Sequence, residues 1–298
     1  MLDREQFLSE YNLKRTFARS GLEWERLEEI YVDYNEKICP MLQDLSRQLV
    51  TDLNQKKMDI RKNKGINKPE WGNDIHVIYG RAKEPKHVIE KIIRKVGDED
   101  SQKYREITVD NYKDILRDLI GIRIIVVKKE SWEEAHDLIC ALFDEFYDDT
   151  PRAFVCYGDR KIFDEKRIYV DYTVKGYRSQ HYIIQYKGYY AEIQVRTLAE
   201  EVYGEFDHRV RYPYFKNNKF LIRYTNIVSK SIAELDDMIS TCMQLDDELL
   251  ETLNHKFERD SYVDWAKEQE SLKNQASEDR FKILTNGDAE EILKYKLL

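Results

Sequence analysis

Residues 171–212 read DYTVKGYRSQHYIIQYKGYYAEIQVRTLAEEVYGEFDHRVRY, and the fold turns on how this stretch is parsed. Residues 182–186 alternate and are rich in β-branched and aromatic side chains, which reads as a strand entered from a loop containing Gly176. Lys175, Tyr177, Arg178, Ser179 and His181 stand just ahead of it, so cations and an aromatic face meet at a strand entrance. A Lys187-Gly188 turn then folds the chain back into a second strand over residues 189–197. There Glu192, Gln194 and Arg196 fall at alternate positions and share one face, while Ile193 and Val195 point the other way. A carboxylate, an amide and a guanidinium in line suit a hard divalent cation and a phosphorylated ligand. The same pattern also occurs on hairpin faces that are merely solvated.

The 298 residues, 42% of them hydrophobic, are enough to bury a sizeable core. Lys and Arg number 49 against 57 Asp and Glu, a net charge of −8, which argues against a general nucleic-acid coat and for focused cationic pockets. Cys39, Cys140, Cys156 and Cys242 are scattered without a CxxC pair, so neither a zinc site nor a disulfide framework is expected. The start, MLDREQFLSE, is acidic and lacks an apolar leader, and no apolar run is long enough to span a bilayer. A cytoplasmic protein without membrane partners is expected.

Three regions follow: a helical one over 1–74, a central α+β one over 75–215 and a helical extension over 216–298. In the first, Leu27, Ile30, Tyr31, Tyr34, Ile38, Leu42, Leu45 and Leu49 recur at helical steps, with a bend expected at Pro40. A basic segment follows, with Lys56, Lys57, Arg61, Lys62, Lys64 and Lys68, which is either a solvated helix end or a contact for a nucleotide or RNA backbone. Residues 75–83 alternate as a strand, and Pro85 opens a short amphipathic helix to Val96. A helix is expected over 109–119, then a buried strand, GIRIIVV, which follows Asp118 and carries Arg123 near its start. Residues 131–146 read as a helix capped by Ser131 and Glu134, residues 154–157 and 167–172 as strands, and 198–210 as a helix whose exposed edge bears Glu201, Glu205 and His208. The fold class is therefore α+β, a mixed β-sheet of five or six strands flanked by helices. In the last region, Leu221, Val228, Ile232, Leu235, Ile239, Leu245 and Leu249 predict one long helix packed on the domain or on a second copy, a route to a homo-oligomer.

GYRSQH (176–181), AEIQVRT (191–197) and EFDH (205–208) together resemble the synthetase domain of the RelA/SpoT family, which makes the alarmones ppGpp and pppGpp, in its small single-activity form. The resemblance implies a nucleotidyltransferase-like fold and transfer of pyrophosphate from ATP to the 3′-hydroxyl of GDP or GTP with Mg²⁺. Arg81, Lys83 and Lys91 match the family's GRxKxxxSxxxK element for gripping ATP, with His87 where a small hydroxyl residue is usual. Asp118 and Arg123 match its D-(I/L)-x-G-(I/V)-R motif, implying Mg²⁺ on Asp118 and adenine on Arg123. Glu192 is implied as second metal ligand and general base, and Tyr177, Lys175, Arg178, His181, Gln194 and Arg196 as the acceptor half. No His-Asp dyad stands where a hydrolase domain would need it; Asp207-His208 is in reverse order. The loop between Asp171 and Gly176 is shorter than in typical alarmone synthetases, which bears on the acceptor. Toxins of this fold modify the tRNA 3′ end or an adenine nucleotide, and that remains the rival reading. A third is an idle nucleotide-binding module that serves assembly. An antitoxin or regulator is a further possible partner.

Overall fold

The computed structural model describes residues 2–63, 75–96, 102–155, 161–172, 178–210, 215 and 218–259. Lys175, Gly176 and Tyr177, the basic segment from Lys64 onward, residues 156–157 and the expected second helix of the tail lie outside them. The chain divides into two compact units, Met1–Ser240 and Thr241–Leu298.

The first unit opens with α1 (Arg4–Glu10), α2 (Lys14–Ser20), α3 (Trp24–Asp33) and the 25-residue α4 (Cys39–Asn63). β1 (Ile75–Ala82), α5 (Pro85–Val96), α6 (Gln102–Arg105), α7 (Tyr112–Ile115), β2 (Ile120–Val126), α8 (Trp132–Cys140) and β3 (Arg152–Val155) follow. Then come α9 (Lys161–Glu165), β4 (Tyr169–Tyr172), β5 (Ser179–Tyr186), β6 (Tyr189–Thr197), α10 (Leu198–Val210) and α11 (Lys219–Arg259). The six strands form one mixed sheet in the order β1-β2-β6-β5-β3-β4, with β2 parallel to β6, β3 parallel to β4 and the other pairs antiparallel. The expected α+β class, a mixed sheet flanked by helices with helical extensions at both ends, is the one observed.

Alternation gives the sheet two unlike faces. Ile120, Ile122, Ile124, Ala191, Ile193, Val195, Tyr182 and Ile184 are buried on one of them in a core shared with Leu42, Leu49 and Leu53 of α4. The approach is close. A Cβ on Gly80 of β1 would lie within 2.6 Å of Ser46 Oγ on α4, so only glycine lets helix and strand meet there. On the other face Tyr79 pairs with Arg123, Arg81 with Gly121, Gly121 with Glu192, Arg123 with Gln194 and His181 with Gln194. The hairpin that carries this face closes with Lys187 and Gly188, both at positive φ (48° and 86°), as a two-residue turn that matches strand twist requires.

Several expected elements differ. The bend near Pro40 is a π-helical turn, Tyr34–Ile38, in which Cys39 N–H donates to the Tyr34 carbonyl; the widened turn absorbs the clash that proline makes with the preceding turn. The helix expected over 109–119 is a single turn. Asn111 accepts from Thr108 N–H at 2.7 Å and donates to the Glu106 carbonyl at 3.1 Å, so local side-chain bonds displace helix on the N-terminal side, and Leu116 turns extended on the other. Ser131 makes no capping bond and α8 stops at Cys140, leaving Leu142 and Phe143 packed on the core outside it. Ser179 and His181 belong to β5 itself, not to the loop before it. Along α11 the apolar residues at helical steps are not the innermost row. Thr225, Ser229, Ala233, Asp236 and Ser240 are buried, while Leu235 and Met238 are exposed.

Candidate active site

Three chain segments meet at Asp118. It sits in the turn before β2, where Lys83 N–H donates to the Leu119 carbonyl at 2.8 Å and so holds the end of β1 beside that turn. Lys83 Nζ donates to Asp118 Oδ2 at 2.7 Å, and Lys91, on α5, reaches the same oxygen at 2.7 Å. Asp118 Oδ1 is buried without a hydrogen-bond partner among the described residues. Burial pushes the Asp118 carboxyl up, but the charges and hydrogen bonds of Lys91 and Lys83 outweigh it and hold the group well below the ordinary carboxylate range.

Glu192 stands one strand away, opposite Gly121, where an added Cβ would meet nothing nearer among the described residues than the Arg81 carbonyl oxygen at 4.0 Å, so the face beside Glu192 is open. His181 Nδ1 lies 2.9 Å from Glu192 Oε1, and Gln194 Nε2 donates to Oε2 at 2.9 Å. Burial raises the Glu192 carboxyl, His181 lowers it, Asp118 raises it and Lys91 lowers it, with a net shift downward. The two carboxylates therefore share one electrostatic neighbourhood and one lysine.

From Glu192 the contacts run across the sheet. Arg196 Nη2 donates to Gln194 Oε1 at 2.6 Å, Arg196 Nη1 to Glu201 Oε2 at 3.1 Å, and Arg196 Nε to Ser179 Oγ at 3.3 Å. Glu201 Oε1 accepts from Tyr79 at 2.6 Å and from Arg123, which also reaches Glu205 at 2.8 Å. Burial works against the Arg123 charge, yet Glu205, Tyr79 and Glu201 hold its proton more firmly than usual. Gly204 leaves room for the Arg196 guanidinium, with which a Cβ there would collide. His208 has its imidazole pushed down by burial, with Glu205 opposing and His87, Arg81 and Arg123 adding to the fall, so these groups gather at the β1 edge.

The structure thus gathers Lys83, Lys91, Asp118, Glu192, His181, Gln194 and Arg196 on one side of the sheet and links Arg123 to them through Glu201. Arg81 is exposed nearby. Arg178 is not in this group: its guanidinium lies 3.4 Å from Glu200 and 3.5 Å from Asp236 of α11. Glu201 is the residue that sequence reasoning misplaced. It was expected on an exposed helix edge, but its side chain is only 13% exposed and bridges two arginines. Tyr79 was passed over, although it stands two residues before Arg81 in an alternating strand and so had to share its face. The Thr197-x-x-Glu200 spacing at the start of α10 was passed over too. It forms a capping box, with Glu200 N–H on Thr197 Oγ1 at 3.0 Å and Thr197 N–H on Glu200 Oε2 at 2.9 Å.

Residues 80–217 match a family model described as a region found in RelA / SpoT proteins, so the chain carries a RelA/SpoT-type region. The small alarmone synthetase 1 from Bacillus subtilis is 19% identical, covers 72% of this chain and 99% of its own, and superposes with a TM-score of 0.53, a likeness of fold. A GTP pyrophosphokinase family protein from Streptococcus pneumoniae is 23% identical over 72% of this chain and 95% of its own, with a TM-score of 0.47. None of the curated proteins matches the chain. No helix among the described residues is long and apolar enough to cross a membrane.

Proposed function

We propose that the RelA/SpoT-type region of this chain is a cytoplasmic pyrophosphokinase that moves the β,γ-diphosphate of ATP onto the 3′-hydroxyl of GDP or GTP, with synthesis as its sole activity. The observation that carries the reading is the pairing of Asp118 and Glu192 beside the cations Lys83 and Lys91, with the His181 imidazole on Glu192. Transfer of a phosphoryl group needs neutralised charge and in-line positioning more than covalent help, and the lysines beside the two carboxylates support the first of these.

The donor set suits Mg²⁺. Asp118 Oδ1 is a buried carboxylate oxygen without a hydrogen-bond partner among the described residues, and among them no group of three or more His, Cys, Asp and Glu could hold a metal ion by itself. Magnesium takes one or two carboxylates and leaves its remaining positions to phosphate and water, so Asp118 and Glu192 would hold it. When bound, it would neutralise charge on the β- and γ-phosphates.

The chain's own residues do the rest. Lys83 and Lys91, with Arg81 at the strand edge, bind the donor phosphates, and the flat Arg123 guanidinium, steadied by Glu201 and Glu205, stacks on the adenine. Glu192 is ionised at neutral pH because its carboxyl is held low. It is a weak base, which suffices for a loose transition state, and it accepts the acceptor hydroxyl proton at an oxygen oriented by His181 or Gln194. Tyr177 stacks on the acceptor base, and Lys175 and His181 meet its phosphates. Gln194 and Arg196 keep the sheet face in order.

The test is incubation with γ-labelled ATP and, separately, GDP, GTP, AMP or deacylated tRNA. Label in a guanine nucleotide is the expected result. Label in tRNA or AMP alone would overturn the guanine acceptor while keeping the chemistry, and no label anywhere would overturn the enzyme.

A further inference from the structure

Asp236 lies far along the chain from every motif of the site, on the long helix α11. Its side chain is only 1% exposed. Thr197 Oγ1 donates to its Oδ2 at 2.9 Å, and Arg178 Nη2 lies 3.5 Å from the same oxygen. Thr197 is at once the last residue of β6, the strand of Glu192, and the start of the capping box of α10, the helix of Glu201. Arg178 is the residue before β5, the strand of His181. Glu200 completes the ring, with Oε1 3.4 Å from Arg178 Nε and Oε2 accepting from Thr197 N–H at 2.9 Å. One carboxylate from α11 therefore fastens the adjoining ends of β5 and β6 together. A second fastening sits beside it, because Lys129 N–H donates to Ser240 Oγ at 3.3 Å and Lys129 Nζ to Asp237 at 2.5 Å.

We infer that Asp236 is a positioning residue for the acceptor half of the site: by holding Arg178 and Thr197 it sets the register and angle at which β5 presents His181 to Glu192. This rests on the pyrophosphokinase reading given above. The donor half lies elsewhere, since Lys83, Lys91 and Asp118 sit just past β1, on α5 and in the turn before β2, and the two bonds of the capping box that anchors α10 join Thr197 and Glu200 without Asp236. A buried carboxylate with two donors is also costly as pure scaffold, because burial and the nearby Glu200 push its carboxyl up to about 6. The ring of contacts is kept despite that cost.

The test uses the full chain with Asp236→Asn and Arg178→Gln, singly and together. Asp236→Asn is expected to raise the KM for the guanine acceptor about tenfold while the KM for ATP moves less than about twofold. The double variant should be no worse than the worse single one, because the two residues act as a unit. Amide hydrogen exchange of residues 178–186 should quicken about tenfold in Asp236→Asn, with melting still cooperative. Equal rises in both KM values, or additive effects in the double variant, would overturn the inference. If the wild-type chain transfers label to no acceptor, the function proposed above fails, and the exchange measurement still decides this one: unchanged exchange over residues 178–186 sinks it.

Discussion

Asp118 and Asp236 are both buried aspartates with one oxygen engaged and the other, Oδ1, without a hydrogen-bond partner among the described residues, yet their carboxyls move in opposite directions. Asp118 has two lysine nitrogens at 2.7 Å and is held far down. Asp236 has a threonine hydroxyl at 2.9 Å, an arginine at 3.5 Å and the acidic Glu200 close by, and it is pushed up to about 6. Burial opposes charge at both. What separates them is the number of cations in contact, two against one that is shared with another acid. A carboxylate kept ionised inside a ring of cations suits a place where phosphate and metal meet. One whose proton is held more tightly, with a single shared cation beside it, suits a joint between elements.

The sharpest way to break this contrast is to remove cations from Asp118. Lys91→Met takes away a charge that both Asp118 and Glu192 feel, so transfer should fall at least about hundredfold in a labelled-ATP assay; a drop of less than about threefold would mean that Lys91 is a surface charge only. Next in size is Glu201→Gln, which loosens Arg123 and Arg196 together. The KM for ATP should rise about tenfold while the acceptor KM stays within about twofold, and the reverse pattern would move Arg123 to the acceptor side.

A third effect is in the pH dependence of stability. Asp236 holds its proton more tightly in the folded chain, at about 6, than at its ordinary value of 3.8. The folded state therefore binds more protons over that interval, and stability falls as pH rises from about 4 to about 6, then levels off. The amplitude is on the order of 2–3 kcal/mol. Denaturant midpoints measured across this range should show the slope in the wild-type chain and lose it in Asp236→Asn. A slope that persists in the variant assigns it to another group.

The central hairpin was open to reading from the residues alone, because alternation has a period of two and leaves little freedom: Glu192, Gln194 and Arg196 had to share a face, and Lys187-Gly188 had to turn. What lies between elements was not. Lys83 and Lys91 meet on Asp118 only because β1 and α5 fold over the turn before β2, which no local pattern encodes. Arg178 reads in the sequence as a partner of His181, its near neighbour in the motif, whereas the folded chain gives it to a helix residue 58 positions away. The long helix misled for a related reason. Its apolar residues recur at helical steps, but the buried row is the small and polar one of Thr225, Ser229, Ala233, Asp236 and Ser240, and periodicity read from apolar residues alone does not find it.

The account stands or falls on Asp118 and Glu192 sharing one divalent ion. Manganese titration followed by electron paramagnetic resonance, with a non-hydrolysable ATP analogue present, tests this directly. The prediction is one bound ion per wild-type chain, with affinity lowered at least about tenfold in both Asp118→Asn and Glu192→Gln. Wild-type affinity retained in either variant would contradict it.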